Sequence, residues 1–260
     1  MIAPSFKPVQ VAAIAALLCG CSTQVALQNP SIPDPLIEQL PLSVAVRYPE
    51  EFEHYVHKEK VIGKDEWTID MGRSNRMLFT QLFGAMFSDC TIIAKPPTKK
   101  EQADDEGAKR PVRCKFVPPG TDPAGLPIDA LIEPSIDAFE FSVPNQSQTD
   151  SFAVWIRYRI KIFDAEGNQI ANWPLSAYGK ALSSPMGGDE ALRHAAVLAM
   201  RDAAALVILQ MDKSTGISAL AQARRSHARG RGSAEGVVEA VPVDKPLQTS
   251  ATEDMQDDSG

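Results

Sequence analysis

Four cysteines and four histidines are the side chains best suited to chemistry in this chain. Cys19 and Cys21 stand two apart in "LLCGCS", and thiolates at that spacing could grip a soft metal ion. A closed site needs four ligands, and no other cysteine or histidine lies nearby. His54 and His57 in "EEFEHYVHKEK" are three apart, among Glu50, Glu51, Glu53 and Glu59. On a helix the two imidazoles would share a face, but a third ligand would have to come from elsewhere, so a solvated, charged connection is expected. His194 and His227 stand alone. "SSPMGGDE" could hold an anion on free amides, although a helix-entry loop is the plainer reading. The sequence contains no Gly-x-Ser-x-Gly elbow, no phosphate-binding glycine loop and no His-Glu-x-x-His. We therefore expect no catalytic residue, no metal, no cofactor and no enzymatic activity.

The segment before Cys21 suggests another use for that thiol. Val9 to Leu18 reads "VQVAAIAALL", with Gln10 its one polar residue and Lys7 just ahead of it. At ~1.5 Å per residue such a helix covers about half the ~30 Å hydrocarbon core, too little to span a bilayer. Its length is that of a secretory h-region. The sequence Leu18-Cys19-Gly20-Cys21 follows. It resembles the lipobox of bacterial lipoproteins: an aliphatic residue three before the cysteine and a small one immediately before it. The resemblance implies that Cys21 receives a diacylglyceryl thioether, that cleavage precedes it, and that the new amino terminus is acylated. Other readings are a secretory signal cut elsewhere, an uncleaved anchor, or a buried helix. Acyl chains contributing ~0.8 kcal/mol per buried CH₂ would hold the protein on a membrane without a transmembrane helix. In the enteric lipoproteins that this segment resembles, aspartate after the acylated cysteine retains the protein in the inner membrane, so the resemblance implies that Ser22 sends it to the outer membrane, on its periplasmic face. Residues 1–20 are thus expected to be a signal peptide and residues 21–40, with three prolines, a flexible tether.

The positioning elements come next. "LSVAVRY" (Leu42 to Tyr48) alternates as a half-buried strand, and "EWTIDM" (Glu66 to Met71) is a second. Ser74 offers an N-cap for a helix that sets Leu78, Leu82 and Met86 beside Phe79, Phe83 and Phe87. Pro127 to Val143 is strand-like, with Pro134 requiring an edge or a bulge. "FAVWIRYRIKI" (Phe152 to Ile162) alternates throughout, "DAEGNQ" turns the chain, and Ile170 to Ala181 returns. Arg157, Arg159 and Lys161 share one face and need acidic neighbours or water; a basic contact surface is the sharper reading. Asp189 to Met211 is a long alanine-rich helix whose charges rule out a membrane span. This order predicts an α+β fold, a mixed or mainly antiparallel sheet with two main helices on one face, over residues 41–212 with an irregular loop at 95–127. The plan resembles the small α/β domains of periplasmic lipoproteins, among them activators of penicillin-binding proteins, the curli-secretion lipoprotein and auxiliary lipoproteins of lipid transporters. It carries no motif and transfers no residue.

Export would place Cys90 and Cys114 in an oxidising compartment, where two free thiols tend to pair, and a disulfide between them is expected. From Lys213 the pattern fails. "RRSHARGRG" is a basic cluster within residues 213–260, which read as a disordered tail. The net charge of −7, from 33 acidic and 26 basic residues, gives no footprint for nucleic acid. The expected partners are the membrane, through the lipid anchor, and an envelope protein. The expected role is that of a non-catalytic accessory lipoprotein of the Gram-negative envelope. The alternative is a carrier of lipid or another hydrophobic ligand.

Overall fold

Strand alternation builds the larger of two sheets. In β8 (Ser151–Asp164) Val154, Ile156, Tyr158, Ile160 and Ile162 are all fully buried, while Trp155 and Arg157 between them are exposed. The partner strands are β7 (Ala130–Ser142) and β9 (Gln169–Leu182), both antiparallel to β8. The computed structural model describes residues 22–27, 38–61, 66–96, 113–183 and 187–234, with side chains up to Ser226. The hydrophobic run and the acceptor Cys21 lie outside them.

Across this six-stranded sheet the order is β6-β5-β2-β7-β8-β9, where β2 is Leu40–Arg47, β5 is Phe87–Ile93 and β6 is Lys115–Val117. β2 lies parallel to both β5 and β7, and β5 parallel to β6. The sheet is therefore mixed and the fold α+β. Helix α1 (Gly72–Met86) packs on β5, and α2 (Gly188–Lys213) packs on β8 and β9. Phe79, Phe83 and Phe87 bury completely or nearly so, Phe79 meeting Phe52 and Tyr158 edge to face. Each such ring contributes roughly 2–3 kcal/mol by leaving water.

Pro134 satisfies both of its sequence-level requirements. β2 pairs with β7 only through Ala130, Leu131 and Ile132, so by Pro134 the strand has one neighbour and a missing N–H costs no ladder bond. The bulge follows between Ile136 and Ala138. In β9, Pro174 also sits on an edge. The Tyr178 amide, of the same parity, points away from β8 and donates to the Asp202 carboxylate at 2.9 Å, so the Pro174 nitrogen faces outward as well.

Several sequence expectations need correction. The stretch read as a tether at 21–40 contains a strand, β1 (Ser22–Ala26), parallel to β4 (Glu66–Asp70), and Val25 in it is 1% exposed. The charged connection around the histidines is a helical turn, Glu50–Glu53, followed by β3 (Val56–Lys60), antiparallel to β4. Together β1, β4 and β3 form a three-stranded sheet. Ser74 is not the N-cap: Met71 holds that position, and Ser74 Oγ donates to the Leu27 carbonyl at 3.4 Å. The loop at 95–127 includes β6 and a 3₁₀ turn, Pro123–Gly125; its charged middle lies outside the described residues. Beyond residue 213 the chain re-enters a helix, α3 (Thr215–Ala234), because Ile217 and Ala221 find apolar cover. Residues up to Arg225 form one compact unit; of the second, Ser226–Gly260, the described part is the end of α3.

Two polar pairs sit inside the core among the described residues: Tyr48 with Thr80, 2.9 Å apart, and Tyr158 with Asn75. Tyr158 Oη donates to Asn75 Oδ1 at 2.7 Å, with both side chains 0% exposed, and burial pushes the phenol well above its ordinary pKa. Tyr158→Phe leaves the Asn75 oxygen without its donor. The expected loss is about 1–3 kcal/mol, read as a lower urea midpoint at unchanged m-value.

Candidate interaction surface

Helices α1 and α2 and the small sheet cover the same face of the large sheet, the one lined by Phe139, Phe141, Phe152 and Tyr158. On the opposite face of β7, β8 and β9, Leu126 and Ile128 pack on Leu131 and Phe163 at the turn end, and Ser151 and Ala153 are buried at the other. Between them the face is uncovered among the described residues, and strand parity decides what it displays. From β8 come Trp155, Arg157, Arg159 and Lys161; from β9 come Asn172, Ser176, Tyr178 and Lys180.

Trp155 and Tyr178 are direct cross-strand partners. Their ring centroids are 5.2 Å apart at an interplanar angle of 44°, and each residue is 43% exposed. An aromatic pair left in water forgoes much of the burial such rings normally bring. Beside it runs a series of ion pairs with acids from β7. Arg157 Nη2 lies 3.5 Å from Glu140 Oε1, and Arg159 Nε lies 3.2 Å from Asp137 Oδ1 with a second contact through Nη2. Arg47 of β2 pairs with Glu133. The hydrogen bond and charge of Asp137 raise the Arg159 pKa further above its ordinary value. Exposed pairs of this kind add little stability.

The sharper reading of Arg157, Arg159 and Lys161, a basic contact surface, is weakened by Glu140 and Asp137, which pair with the two arginines on this solvent-facing side of β8. The sequence reading missed Tyr178. The hairpin turn could have found it, since counting nine residues back from Asp164 and nine on from Gln169 reaches Trp155 and Tyr178.

At the turn end of the same face is a shallow cleft of about 280 Å³, whose lining includes Arg47, Leu131, Phe163, Asp122, Asp164 and Glu166. The Asn168 side chain donates to Asp164 Oδ2 at 3.0 Å and holds that carboxyl below its usual pKa. Asp122 is occupied in capping the Pro123–Gly125 turn through the Ala124 amide.

Of the other candidates, Cys90 and Cys114 are joined in a disulfide with Cα atoms 4.6 Å apart. His57 and His54 do not share a helix face. The His57 ring lies on Phe139 at 4.8 Å, and its Nε2 is 3.1 Å from Glu59. His194 is exposed on α2, and the His227 side chain lies outside the described ones. Among the described residues no three histidines, cysteines or acids converge as metal ligands, and no helix is long and apolar enough to cross a membrane.

No protein-family model matches the chain, and no curated protein matches it. Among solved structures it is similar to a candidate lipoprotein from Caulobacter crescentus CB15, at 16% identity and TM-score 0.27, over 41% of this chain and 72% of the other. It is also similar to a hypothetical protein from Chlamydia trachomatis, at 12% identity and TM-score 0.36, over 66% of this chain and 96% of the other.

Proposed function

We propose that this protein is a lipid-anchored accessory lipoprotein of the Gram-negative outer membrane, facing the periplasm. It works by binding another envelope protein and carries out no chemistry itself. The anchor is Cys21 in its lipobox-like setting. The observation that carries the binding reading is the Trp155–Tyr178 pair, two large rings held against each other and each 43% exposed among the described residues. Aromatic residues ringed by polar groups are the usual anchors of protein interfaces, where truncation of one costs 2 kcal/mol or more of binding energy. Beneath α1, Phe79 packs on Phe83 at 5.7 Å and on Tyr158 at 5.4 Å, ring against ring, which favours a binding role over that of a carrier.

The test separates binding from folding. Trp155→Ala with Tyr178→Ala removes exposed rings and is expected to lower stability by only about 1 kcal/mol. Crosslinked envelopes should yield a partner with the wild type, and the double variant should recover it at least tenfold less at equal abundance. Equal recovery by both would rule this face out. Recovery of phospholipid in place of protein would favour the carrier.

A further inference from the structure

We infer that the folded body sits directly on the lipid headgroups, seated on the end of the molecule where β1 begins, with no spacer between anchor and domain. This rests on reading Cys21 as the acylated residue. Ser22 is the first residue of β1, and one trans peptide keeps neighbouring Cα atoms ~3.8 Å apart. An anchor at Cys21 therefore brings whatever Ser22 is fixed to down to the membrane surface.

Ser22 is fixed to a great deal. Its register partner is Glu66 of β4, whose own partner on the far side is Lys60 of β3. With strands ~4.8 Å apart, Glu66 and Lys60 lie about 5 and 10 Å from Ser22. The strand is held along its length: Val25 is 1% exposed, Ser74 Oγ bonds the Leu27 carbonyl, and β1 packs on α2.

The same end of the large sheet is tied in as well. Trp67, one residue after Glu66, meets Phe141 and Phe152 at 6.0 and 6.2 Å. Gly188, at the start of α2, lies against Phe152 and Trp67. Phe152 is paired with Ala181, next to Leu182. At 74% exposed, Leu182 is the barest large apolar side chain among the described residues. Lys58 and Lys60 are exposed on β3. An apolar side chain and two cations around an acyl anchor suit the surface of a bilayer containing anionic lipid. The opposite end carries the turn after β8, the cleft, and α3 where Arg224 pairs with Asp129. At ~3.3 Å per residue, the 14 residues of β8 place that turn about 45 Å from the anchored end.

The experiment uses the full acylated chain, purified from membranes with its disulfide intact and reconstituted in phosphatidylglycerol-containing vesicles that carry a headgroup-linked fluorescence quencher. A fluorophore is attached in turn at Lys60→Cys, Leu182→Cys and Glu166→Cys. Most of the emission should be lost at 60 and 182, and almost none at 166. A flexible Gly/Ser insert of about ten residues between Cys21 and Ser22 adds roughly 18 Å of reach and should restore emission at the first two sites. Equally weak quenching at all three sites of a vesicle-bound, acylated protein would overturn the seating and leave the lipoprotein reading standing. A bare Cys21 thiol by mass, with protein that does not float with vesicles, would overturn both.

Discussion

Gly179→Val is expected to destabilise the domain by about 3 kcal/mol or more, a larger loss than most overpacking substitutions cause. Gly179 lies in β9 on the face covered by α2. A Cβ built there would stand 2.0 Å from the Ala195 carbonyl oxygen, 2.4 Å from the Ala199 amide nitrogen and 3.0 Å from the Leu198 carbonyl carbon. All three are helix backbone, so no rotamer change relieves the contact, and the helix must rise. Ala195, Ala196, Ala199 and Ala203 are each 0% exposed; their small side chains are what let the axis lie this low. Lifting α2 would thin its dispersion contacts with β8 and β9 together. It would also strain the Asp202 bond to the Tyr178 amide. For a unit of this size the shift in Tm should be about 6–12 °C. Ser176→Val, on the open face of the same strand, is the control and should stay within about 0.5 kcal/mol of wild type. A Gly179→Val protein melting within 2 °C of wild type would mean that α2 does not approach β9 this closely.

Loss of the disulfide should cost nearly as much. Cys90 is central in β5, and Cys114 immediately precedes β6, 24 residues later. Closing a loop of that length removes unfolded-state entropy worth about 3–4 kcal/mol in the chain-entropy model. Both sulfurs are in residues under 10% exposed, so Cys90→Ala with Cys114→Ala keeps the site apolar and isolates the bond. We expect Tm to fall by about 10 °C. The reduced wild type should melt with the variant, and the variant should not respond to reductant. β6 should suffer first, because among the described residues it pairs with β5 alone, through Thr91, Ile92 and Ile93. Limited proteolysis should then cut between Arg113 and Val117 before the rest of the domain opens. Melting of the wild type that is indifferent to reductant would remove the bond from the account of stability.

Binary pattern alone settled the parts of this protein whose neighbours are apolar on one side and water on the other. β2, β4, β8, β9, α1 and α2 stand close to where alternation or helical spacing placed them, because burying one face of a strand or helix is a local, periodic demand. β5 was not legible, because α1 runs into it at Phe87 without a breaker and "SDCTII" lacks clear alternation. β1 and β3 were missed for a different reason. They are short, polar and charged, and they become strands only because β4 offers both of its edges. α3 escaped because two buried residues, Ile217 and Ala221, are too few to make a pattern.

Tertiary structure alone decided which surfaces remain exposed. Sequence could say that Trp155 faces away from Tyr158. It could not say that both helices and the small sheet would choose the other side, leaving Trp155 and Tyr178 to each other and the solvent. Nor could it say that the residue after Cys21 enters a sheet. Local physics sets which face of an element avoids water; the packing of distant elements sets which faces are left, and that sum over the whole chain is written at no single position.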